Sequence, residues 1–138
     1  MLPDTAAQFI FQEAPLAHLV TFNPDGSPHI TLAWVDERDG ELLLATLFDQ
    51  RKLANLRRDP RCAVSMEGQH VRPPGLREYL VVHGTARVEE GGAPELLQTL
   101  AGRHLGPDVA FPPMPNPPAG YVTHIAVDRV TGVGPWTD

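Results

Sequence analysis

The sequence of 138 residues predicts a mainly β fold, in which a mostly antiparallel barrel carries short α-helices as insertions. Runs of β-branched and other apolar residues recur along the chain at strand length. Turn-forming residues, such as those at 23–27 and 36–40, separate several of these runs at hairpin distance. Strands joined by hairpins, with helices between some of them, favour an antiparallel barrel over a parallel α/β sheet.

The first third of the chain predicts one helix and three strands. Residues 4–13 predict the helix, and residues 17–22 and 29–35 predict two strands that pair as an antiparallel hairpin. The residues from 36 to 40 predict a turn, after which residues 41–48 predict the third strand.

The middle of the chain predicts a short helix between strands. The helix covers residues 49–58, where leucines are spaced along one face. Residues 61–67 predict a fourth strand, and residues 78–88 predict a long fifth strand. Within the fifth strand, Gly84 indicates a β-bulge.

The last third predicts a helix, an irregular loop and a final strand. The helix covers residues 93–104, and the leucines at core spacing are Leu96, Leu97, Leu100 and Leu105. Six of the fifteen prolines lie between residues 107 and 118, so this segment must be a loop. Residues 121–127 predict the sixth strand, and residues 132–136 predict a tail. The whole chain is thus expected to have six or more strands with short helices.

Length and composition indicate a single domain over residues 1–138. The hydrophobic share of 42% and the charged share of 20% are ordinary, and no apolar run reaches the ~20 residues that span a bilayer. The N-terminus lacks the basic and then apolar segments of a signal peptide. Because Cys62 is the single cysteine, no internal disulfide can form. We therefore expect a cytoplasmic protein that binds no membrane.

Charge is concentrated in one segment. The net charge of −6 argues against a nucleic-acid-binding protein, which would usually be basic. Between residues 51 and 61, five basic residues face one acid, so this segment carries +4 and the rest of the chain −10. A single positive patch on an acidic protein suits a small, multiply charged anion. For Arg57, Arg58 and Arg61, the alternative is a solvated helix face.

Arg51 and Lys52 occupy the first turn of the predicted helix over residues 49–58, with Asp49 as the expected N-cap. The start of a helix presents free N–H groups and a partial positive charge, so a cation there is unfavourable by roughly 0.3–1 kcal/mol. Two adjacent cations are explained if an anion binds at this place, because a helix start is a suitable phosphate site. The sequence therefore predicts a phosphate site at Arg51 and Lys52.

No motif of a self-sufficient enzyme occurs in the chain. We find no Gly-x-Ser-x-Gly elbow, no phosphate-binding Gly-x-x-x-x-Gly-Lys loop and no Gly-x-Gly-x-x-Gly fingerprint. The six histidines lack metal-ligand spacing, so no metal site is expected. Cys62 lies within a predicted strand and is expected to be buried and inert. No catalytic residue is identified, and any reaction would use a bound cofactor.

Residues 14–61 contain an ordered set of segments. Asn23-Pro24-Asp25-Gly26-Ser27-Pro28 is followed by a strand with Trp34, by a second strand, and by Arg51-Lys52-Leu53-Ala54-Asn55-Leu56-Arg57-Arg58-Asp59-Pro60-Arg61. This set resembles the pyridoxamine-phosphate-oxidase-like split β-barrel family. The segment Leu105-Gly106-Pro107-Asp108 and the proline-rich loop look most like the branch that binds the deazaflavin coenzyme F420.

The resemblance implies an FMN-binding-like split β-barrel that forms a homodimer, with two cofactor sites at the subunit interface. Arg51 and Lys52 would hold the phosphate of F420 or, alternatively, of FMN, and Trp136 in the tail could reach the partner's site. The other site residues that the resemblance implies are Thr46 and Asn55 near the phosphate, His29, Ile30, Thr31, Leu32 and Trp34 along the ring, and Tyr79 as a further contact.

The residues themselves leave several of these roles open. Trp34 could equally be a core residue, and Thr46 could be an ordinary strand residue. His29 and Thr31 alternate with apolar neighbours, so their polar face could meet either the cofactor or solvent.

The sequence departs from the oxidase proper in a way that bears on its substrate. No arginine follows Arg129, and the position near His29 is not basic, which argues against oxidation of pyridoxamine phosphate. The leading hypothesis is an F420-dependent oxidoreductase that passes a hydride to a conjugated small organic substrate. The alternatives are an FMN-binding flavin reductase or oxidase, a protein that binds F420, a flavin or a tetrapyrrole without turnover, and a structural barrel with an empty site.

Overall fold

The structure, a computed structural model, describes residues 1–137. These residues form three α-helices, seven β-strands and a 3-10 turn at Pro135–Thr137. The elements in chain order are α1 (Asp4–Glu13), β1 (Ala17–Phe22), β2 (Pro28–Ala33), β3 (Asp36–Arg38), β4 (Glu41–Thr46), α2 (Arg51–Arg58), β5 (Arg61–Arg72), β6 (Leu76–Glu90), α3 (Ala93–His104) and β7 (Tyr121–Val133). Within residues 1–137 no helix is both long and apolar enough to cross a membrane.

All seven strands belong to one sheet in the order β2-β1-β5-β6-β7-β4-β3, and every neighbouring pair is antiparallel. The predicted fold class, mainly β with inserted helices, is therefore confirmed. The two edge strands are β2 and β3. The helix α2 follows β4 and packs against β1 and β6.

The predicted irregularity at Gly84 is confirmed. The register between β6 and β7 shifts from His83 opposite Arg129 to Gly84 opposite Val127, which leaves Asp128 as the extra residue on β7. A Cβ atom at Gly84 would lie 2.6 Å from the carbonyl oxygen of Ala126. Glycine is required here because the strands approach each other more closely than a side chain permits.

Trp136 lies in the hydrophobic core, which corrects the expectation that it reaches towards a partner's site. Its ring packs 4.9 Å from the ring of Phe9 in α1, and its indole Nε1–H donates to the carbonyl oxygen of Tyr79 at 3.1 Å. Only 7% of Trp136 is exposed. The tail returns to the sheet because an indole buries a large apolar area while its single donor is satisfied.

Several predicted element bounds are wrong. The residues expected to form a turn at 36–40 begin with β3, which pairs with β4, so the turn is reduced to Asp39 and Gly40. Asp36 is buried, and its carboxylate accepts bonds from Arg38 and, at 2.7 Å, from Arg103 of α3. Those partners hold the segment in the sheet, which turn propensity alone does not reveal.

The remaining differences concern strand ends and one leucine. The strand predicted over residues 29–35 ends at Ala33, and the strand predicted over residues 41–48 ends at Thr46. The strands β5, β6 and β7 are longer than predicted. Leu96 and Leu100 are buried in α3, but Leu105 is 49% exposed because the helix has ended before it. The segment from 107 to 118 is irregular, as predicted.

Candidate functional site

The helix α2 begins without a side-chain cap. Gln50 is its N-cap residue, and the expected cap, Asp49, is wrong because the Asp49 carboxylate pairs with Arg57 at 3.1 Å instead. The first backbone bonds of the helix run from the N–H groups of Leu53 and Ala54 to the carbonyl oxygen of Gln50. The N–H groups before them remain available to a ligand.

Three of the five cations in the basic segment have partners within the protein. Arg57 pairs with Asp49 and also lies over the ring of Tyr121, and Arg61 pairs with Asp59 at 2.7 Å. Arg58 donates to the side-chain oxygen of Asn55 and to the backbone oxygen of Phe22. These arginines therefore contribute to the structure around α2.

Arg51 and Lys52 differ from those three arginines. Among residues 1–137, neither side chain forms an ion pair or a hydrogen bond with another residue. Arg51 is exposed, whereas Lys52 is half-buried, and burial lowers the pKa of its ammonium group below the usual 10.5. A half-buried cation without a partner is unfavourable in the free protein, and a bound anion would relieve that cost.

The two cations face different concavities. Lys52 lines a mostly apolar pocket of about 260 Å³, together with Leu16, Leu32, Ala33, Trp34, Ala45, Leu97 and Phe111. Arg51 lines a neighbouring groove of about 470 Å³, together with Pro24, Asp49, Gln50, Ala54, Asn55, Arg57 and Arg58. The start of α2 thus separates an apolar pocket from a basic groove. A ligand with a flat ring and an anionic group could occupy both.

Aromatic side chains form one wall of the apolar pocket. The indole of Trp34 stacks on the imidazole of His104 with centroids 4.9 Å apart and an 8° angle between the planes. Phe111 tilts against the same indole with centroids 5.3 Å apart. Burial, and then the nearby charge of Arg103, lowers the pKa of His104, which favours the neutral imidazole. Trp34 thus lines the pocket and packs against protein at the same time.

Asn55 acts within the protein. It is buried, and its side-chain NH₂ donates to the hydroxyl of Thr21 at 3.1 Å and to the amide oxygen of Asn23 at 3.2 Å. Its own amide oxygen accepts from Arg58. These bonds use the donors of the amide and fasten α2 to the hairpin of β1 and β2, so Asn55 is in a position to orient the helix.

The edge strand β2 presents different residues on its two faces. Ile30 and Leu32 are 61% and 56% exposed, whereas His29 and Thr31 are half-buried on the opposite face. The hydroxyl of Thr31 is buried and has no hydrogen-bond partner among the described residues. Because β2 is an edge strand, backbone N–H and C=O groups along its free edge are available to a ligand.

Thr46 and Tyr79 lie outside the Lys52 pocket of the same chain. Thr46 is buried at the end of β4, and the residue of β4 that lines the pocket is its neighbour Ala45. Tyr79 lies on β6 and lines another cavity of about 260 Å³ with His18 and Arg77. The two cavities share no lining residue, so Tyr79 does not line the pocket of Lys52 in the same chain.

Five pocket residues are missing from the site residues that the sequence predicts. They are Leu16, Ala33, Ala45, Leu97 and Phe111. The helical spacing of Leu97 predicts a core residue, and Leu16, Ala33 and Ala45 carry no distinctive pattern. Phe111 is the only aromatic residue in the segment from 107 to 118, which is a weak signal that could have been used.

The remaining reactive side chains do not form a second centre. Cys62 is buried, as predicted, and burial together with the charge of Asp128 raises the pKa of its thiol to about 12. Within residues 1–137 no three His, Cys, Asp or Glu side chains are grouped closely enough to hold a metal ion.

Comparisons with known proteins agree on the fold. The sequence profile of the family described as pyridoxamine 5'-phosphate oxidase matches residues 2–134. No protein among those with curated descriptions matches the sequence. A solved structure described as an F420 reductase is 19% identical, has a TM-score of 0.70, and matches over 95% of this chain and 98% of its own.

Two further solved structures are similar. The conserved hypothetical protein Rv2991 from Mycobacterium tuberculosis is 25% identical, with a TM-score of 0.68, over 92% of this chain and 81% of its own. HutZ, described as the haem storage protein from Vibrio cholerae, is 14% identical, with a TM-score of 0.65, over 96% of this chain and 95% of its own. Proteins with this fold thus bind different cofactors.

Proposed function

The chain belongs to the pyridoxamine 5'-phosphate oxidase family, and from this premise we propose that it is an oxidoreductase that transfers a hydride between coenzyme F420 and a conjugated small organic substrate. One observation carries the proposal. Arg51 and Lys52 are the two cations of the basic segment whose side chains form no hydrogen bond or ion pair within residues 1–137, and they lie at an uncapped helix start beside an apolar pocket.

The phosphate would bind at the start of α2. Its oxygens would accept bonds from the guanidinium of Arg51, from the ammonium of Lys52 and from the free backbone N–H groups of the first turn. Each hydrogen bond to a charged group is worth about 1.5–3 kcal/mol. Asn55 supports this arrangement indirectly, because it fixes the position of α2 relative to β1.

The ring of the cofactor would extend from Lys52 into the apolar pocket. Trp34 and Phe111 offer aromatic surface, and the free edge of β2 offers backbone groups for the polar edge of the ring. The solvent-exposed side of Leu32 lies at the mouth of the same pocket. The residues present therefore fit a flat ligand with an apolar face and polar edges.

The basic groove favours F420 over FMN. FMN ends at its phosphate, whereas F420 continues beyond the phosphate into an acidic glutamate tail. The groove beside Arg51 is lined by Arg57 and Arg58, whose charges make it attractive to such a tail although both side chains have partners. The similar F420 reductase structure agrees with this choice, but at 19% identity it supports the fold alone.

When bound, reduced F420 supplies a hydride from its C5 atom. The protein's own residues would bind and orient: Arg51 and Lys52 fix the phosphate, and the Lys52 pocket holds one face of the ring and excludes water from it. No residue of the pocket is placed as a general acid, so the product would take its proton from solvent.

We also propose that the protein works as a homodimer. The outward face of β2, β1 and β5 carries exposed apolar side chains, of which Ile30 and Leu32 are the most exposed. Tyr79 lies further along the same face, on β6. In a homodimer, Tyr79 of a second copy could approach the Lys52 pocket, which Tyr79 of the same chain does not line.

The test is a parallel titration with F420 and with FMN, followed by fluorescence, on the native protein and three variants. Arg51→Ala and Lys52→Ala should each weaken F420 binding by about 10-fold or more, as expected for one lost charge-assisted bond. Arg61→Ala is the matched control, since Arg61 is an exposed cation near α2 whose partner is Asp59. It should leave F420 binding unchanged.

The outcomes separate the alternatives. Tight F420 binding by Lys52→Ala would contradict the assigned site, and tighter binding of FMN than of F420 would favour a flavin reductase or oxidase. Stoichiometric F420 binding without oxidation of the reduced cofactor, across a panel of quinones, enones and tetrapyrroles, would indicate a binding protein without turnover. Binding of neither cofactor would indicate a structural barrel.

A further inference from the structure

The side-chain amide of Gln98 fastens the proline-rich loop to α3. Its Nε2 donates to the backbone oxygen of Val109 at 2.8 Å, and its Oε1 accepts from the backbone N–H of Phe111 at 2.9 Å. The loop between 107 and 118 has no regular structure, so this pair of bonds fixes it at one place. The loop is therefore fixed at Phe111, since the backbone N–H of Phe111 forms one of the two bonds.

Phe111 is the residue of the loop that reaches the Lys52 pocket. Its ring lies against Trp34, with centroids 5.3 Å apart, and it lines the pocket that Lys52 and Leu97 also line. The second aromatic neighbour of Trp34 is His104, which belongs to α3. The aromatic wall therefore depends on α3 at two points, through His104 directly and through Gln98 and Phe111.

The helix that carries Gln98 is itself fixed to the sheet. Arg103 of α3 donates to the buried carboxylate of Asp36 in β3 at 2.7 Å, and Leu96 and Leu100 pack against Leu43 of β4. A residue on a firmly attached helix can hold a loop in one arrangement, whereas a loop-to-loop contact would not. Gln98 is exposed, so packing does not explain its position.

We propose that Gln98 is a positioning residue that holds Phe111 as the outer wall of the Lys52 pocket, and that this wall selects ligands with a flat, conjugated ring. The identity of the ring rests on the proposed function, whereas the existence of the wall does not depend on it. A flat ring can pack against both Phe111 and Trp34, while a small anion such as inorganic phosphate needs only Arg51 and Lys52. Ring affinity and phosphate affinity should therefore separate when the wall is removed.

The first experiment needs no ligand. Acrylamide quenching of tryptophan fluorescence reports Trp34, because the other tryptophan, Trp136, is only 7% exposed. Gln98→Ala and Phe111→Ala should both increase the quenching of Trp34. The control is Gln8→Ala, since Gln8 is an exposed helical glutamine that makes no side-chain hydrogen bond within residues 1–137. Equal quenching in all four proteins would overturn the proposed wall.

The second experiment compares F420, FMN and inorganic phosphate as ligands. Phe111→Ala and Gln98→Ala should weaken binding of the ring ligand by about 3- to 10-fold, the contribution of one aromatic contact, and leave the affinity for phosphate unchanged. In the Phe111→Ala background, Gln98→Ala should have no further effect, since Gln98 acts through Phe111. Additive effects, or an equal loss of phosphate binding, would mean that Gln98 has only a structural role.

Failure of the inference and failure of the proposed function give different results. If the native protein binds neither F420 nor FMN, the proposed cofactor is wrong. Binding of the flat aromatic anion 1-anilinonaphthalene-8-sulfonate, together with the quenching data, then tests the wall. A fall in affinity for this dye in both variants supports the wall, and no change overturns it.

Discussion

Lys52, the only lysine of the chain, combines two properties that together are unfavourable in a folded protein. It is half-buried, and its ammonium group forms no ion pair or hydrogen bond among residues 1–137. Burial lowers the pKa of its ammonium group, which means that the folded protein holds this charge less readily than the unfolded chain does. A residue that costs stability in the free protein is typical of a binding site, where a ligand supplies the missing partner.

We predict that Lys52→Met makes the ligand-free protein more stable at pH 7. The methionine keeps a long apolar side chain in the pocket and removes the unpaired charge. The urea midpoint, measured without ligand, should therefore rise. Inorganic phosphate at high concentration should stabilise the native protein and have little effect on the variant.

The same prediction has a defined pH dependence. Between the lowered pKa of folded Lys52 and the usual 10.5, the unfolded chain binds more protons at Lys52, so the contribution of Lys52 to the stability of the native protein rises with pH in that window. The advantage of Lys52→Met should therefore shrink as the pH approaches 10.5. Cys62, whose pKa is raised to about 12, affects both proteins equally and cancels in the difference. A variant that is less stable than the native protein at pH 7 would contradict this account.

Residue patterns predicted the position of Arg51 and Lys52, but not which cations would remain free. The sequence grouped five cations in one segment, and only the fold reveals that Asp49, Asn55 and Asp59 satisfy the three arginines. Asp49 was expected to cap the helix and pairs with Arg57 instead. An aspartate before a helix has two possible uses, and local sequence does not distinguish them.

At the level of elements, α2 depends on one buried amide for its attachment to the sheet. Asn55 joins the helix to Thr21 in β1 and to Asn23 in the turn that follows. The helix has only eight residues, too few for an isolated helix to be stable in water. Tertiary contacts such as these, together with the buried side chains of Leu53 and Leu56, must hold it in place.

We predict that Asn55→Ala lowers the free energy of unfolding by about 1–3 kcal/mol, because it leaves the Thr21 hydroxyl and the Asn23 amide oxygen without a partner. Chemical denaturation would measure this loss. If Asn55 orients the phosphate site through α2, phosphate binding should also weaken in the folded variant. The comparison is Gln8→Ala, which changes an exposed amide side chain of α1 that forms no hydrogen bond within residues 1–137 and should affect neither quantity. Normal stability of Asn55→Ala would contradict the role of this amide.

Strands and helices were predictable in kind, while their ends depended on distant partners. The hairpin of β1 and β2 and the helix α3 follow directly from turn residues and apolar spacing. The short strand β3 was missed because Asp36 is held by Arg103, which lies 67 residues further along the chain. The wall formed by Phe111 was missed for the same reason, since a glutamine on another element positions it.

At the scale of the whole molecule, the outward face of the sheet is covered unevenly, since α3 packs on it at Leu43 of β4 and Val122 of β7, whereas the β2 end carries exposed apolar side chains. The row Thr31, Leu19, Val64 and Val82 follows the register of four adjacent strands and faces the core. The alternate row, Ile30, Val20 and Ala63, lies on the outward face, where Ile30 is 61% exposed. An uncovered apolar sheet face of this kind indicates a surface that another molecule covers.

We predict that the native protein has about twice its chain mass of 15.1 kDa in solution and that Ile30→Asp returns it to the chain mass. A stable homodimer needs roughly 800 Å² of buried surface on each partner, and a carboxylate on this face would have to be buried without a partner. Light scattering after size exclusion measures the mass of each protein. The matched control is Leu105→Asp, which places the same charge at a leucine that is 49% exposed at the end of α3 and should leave the mass unchanged. A native mass of 15.1 kDa at micromolar concentration would contradict the homodimer while leaving the site at Arg51 and Lys52 open to the titration.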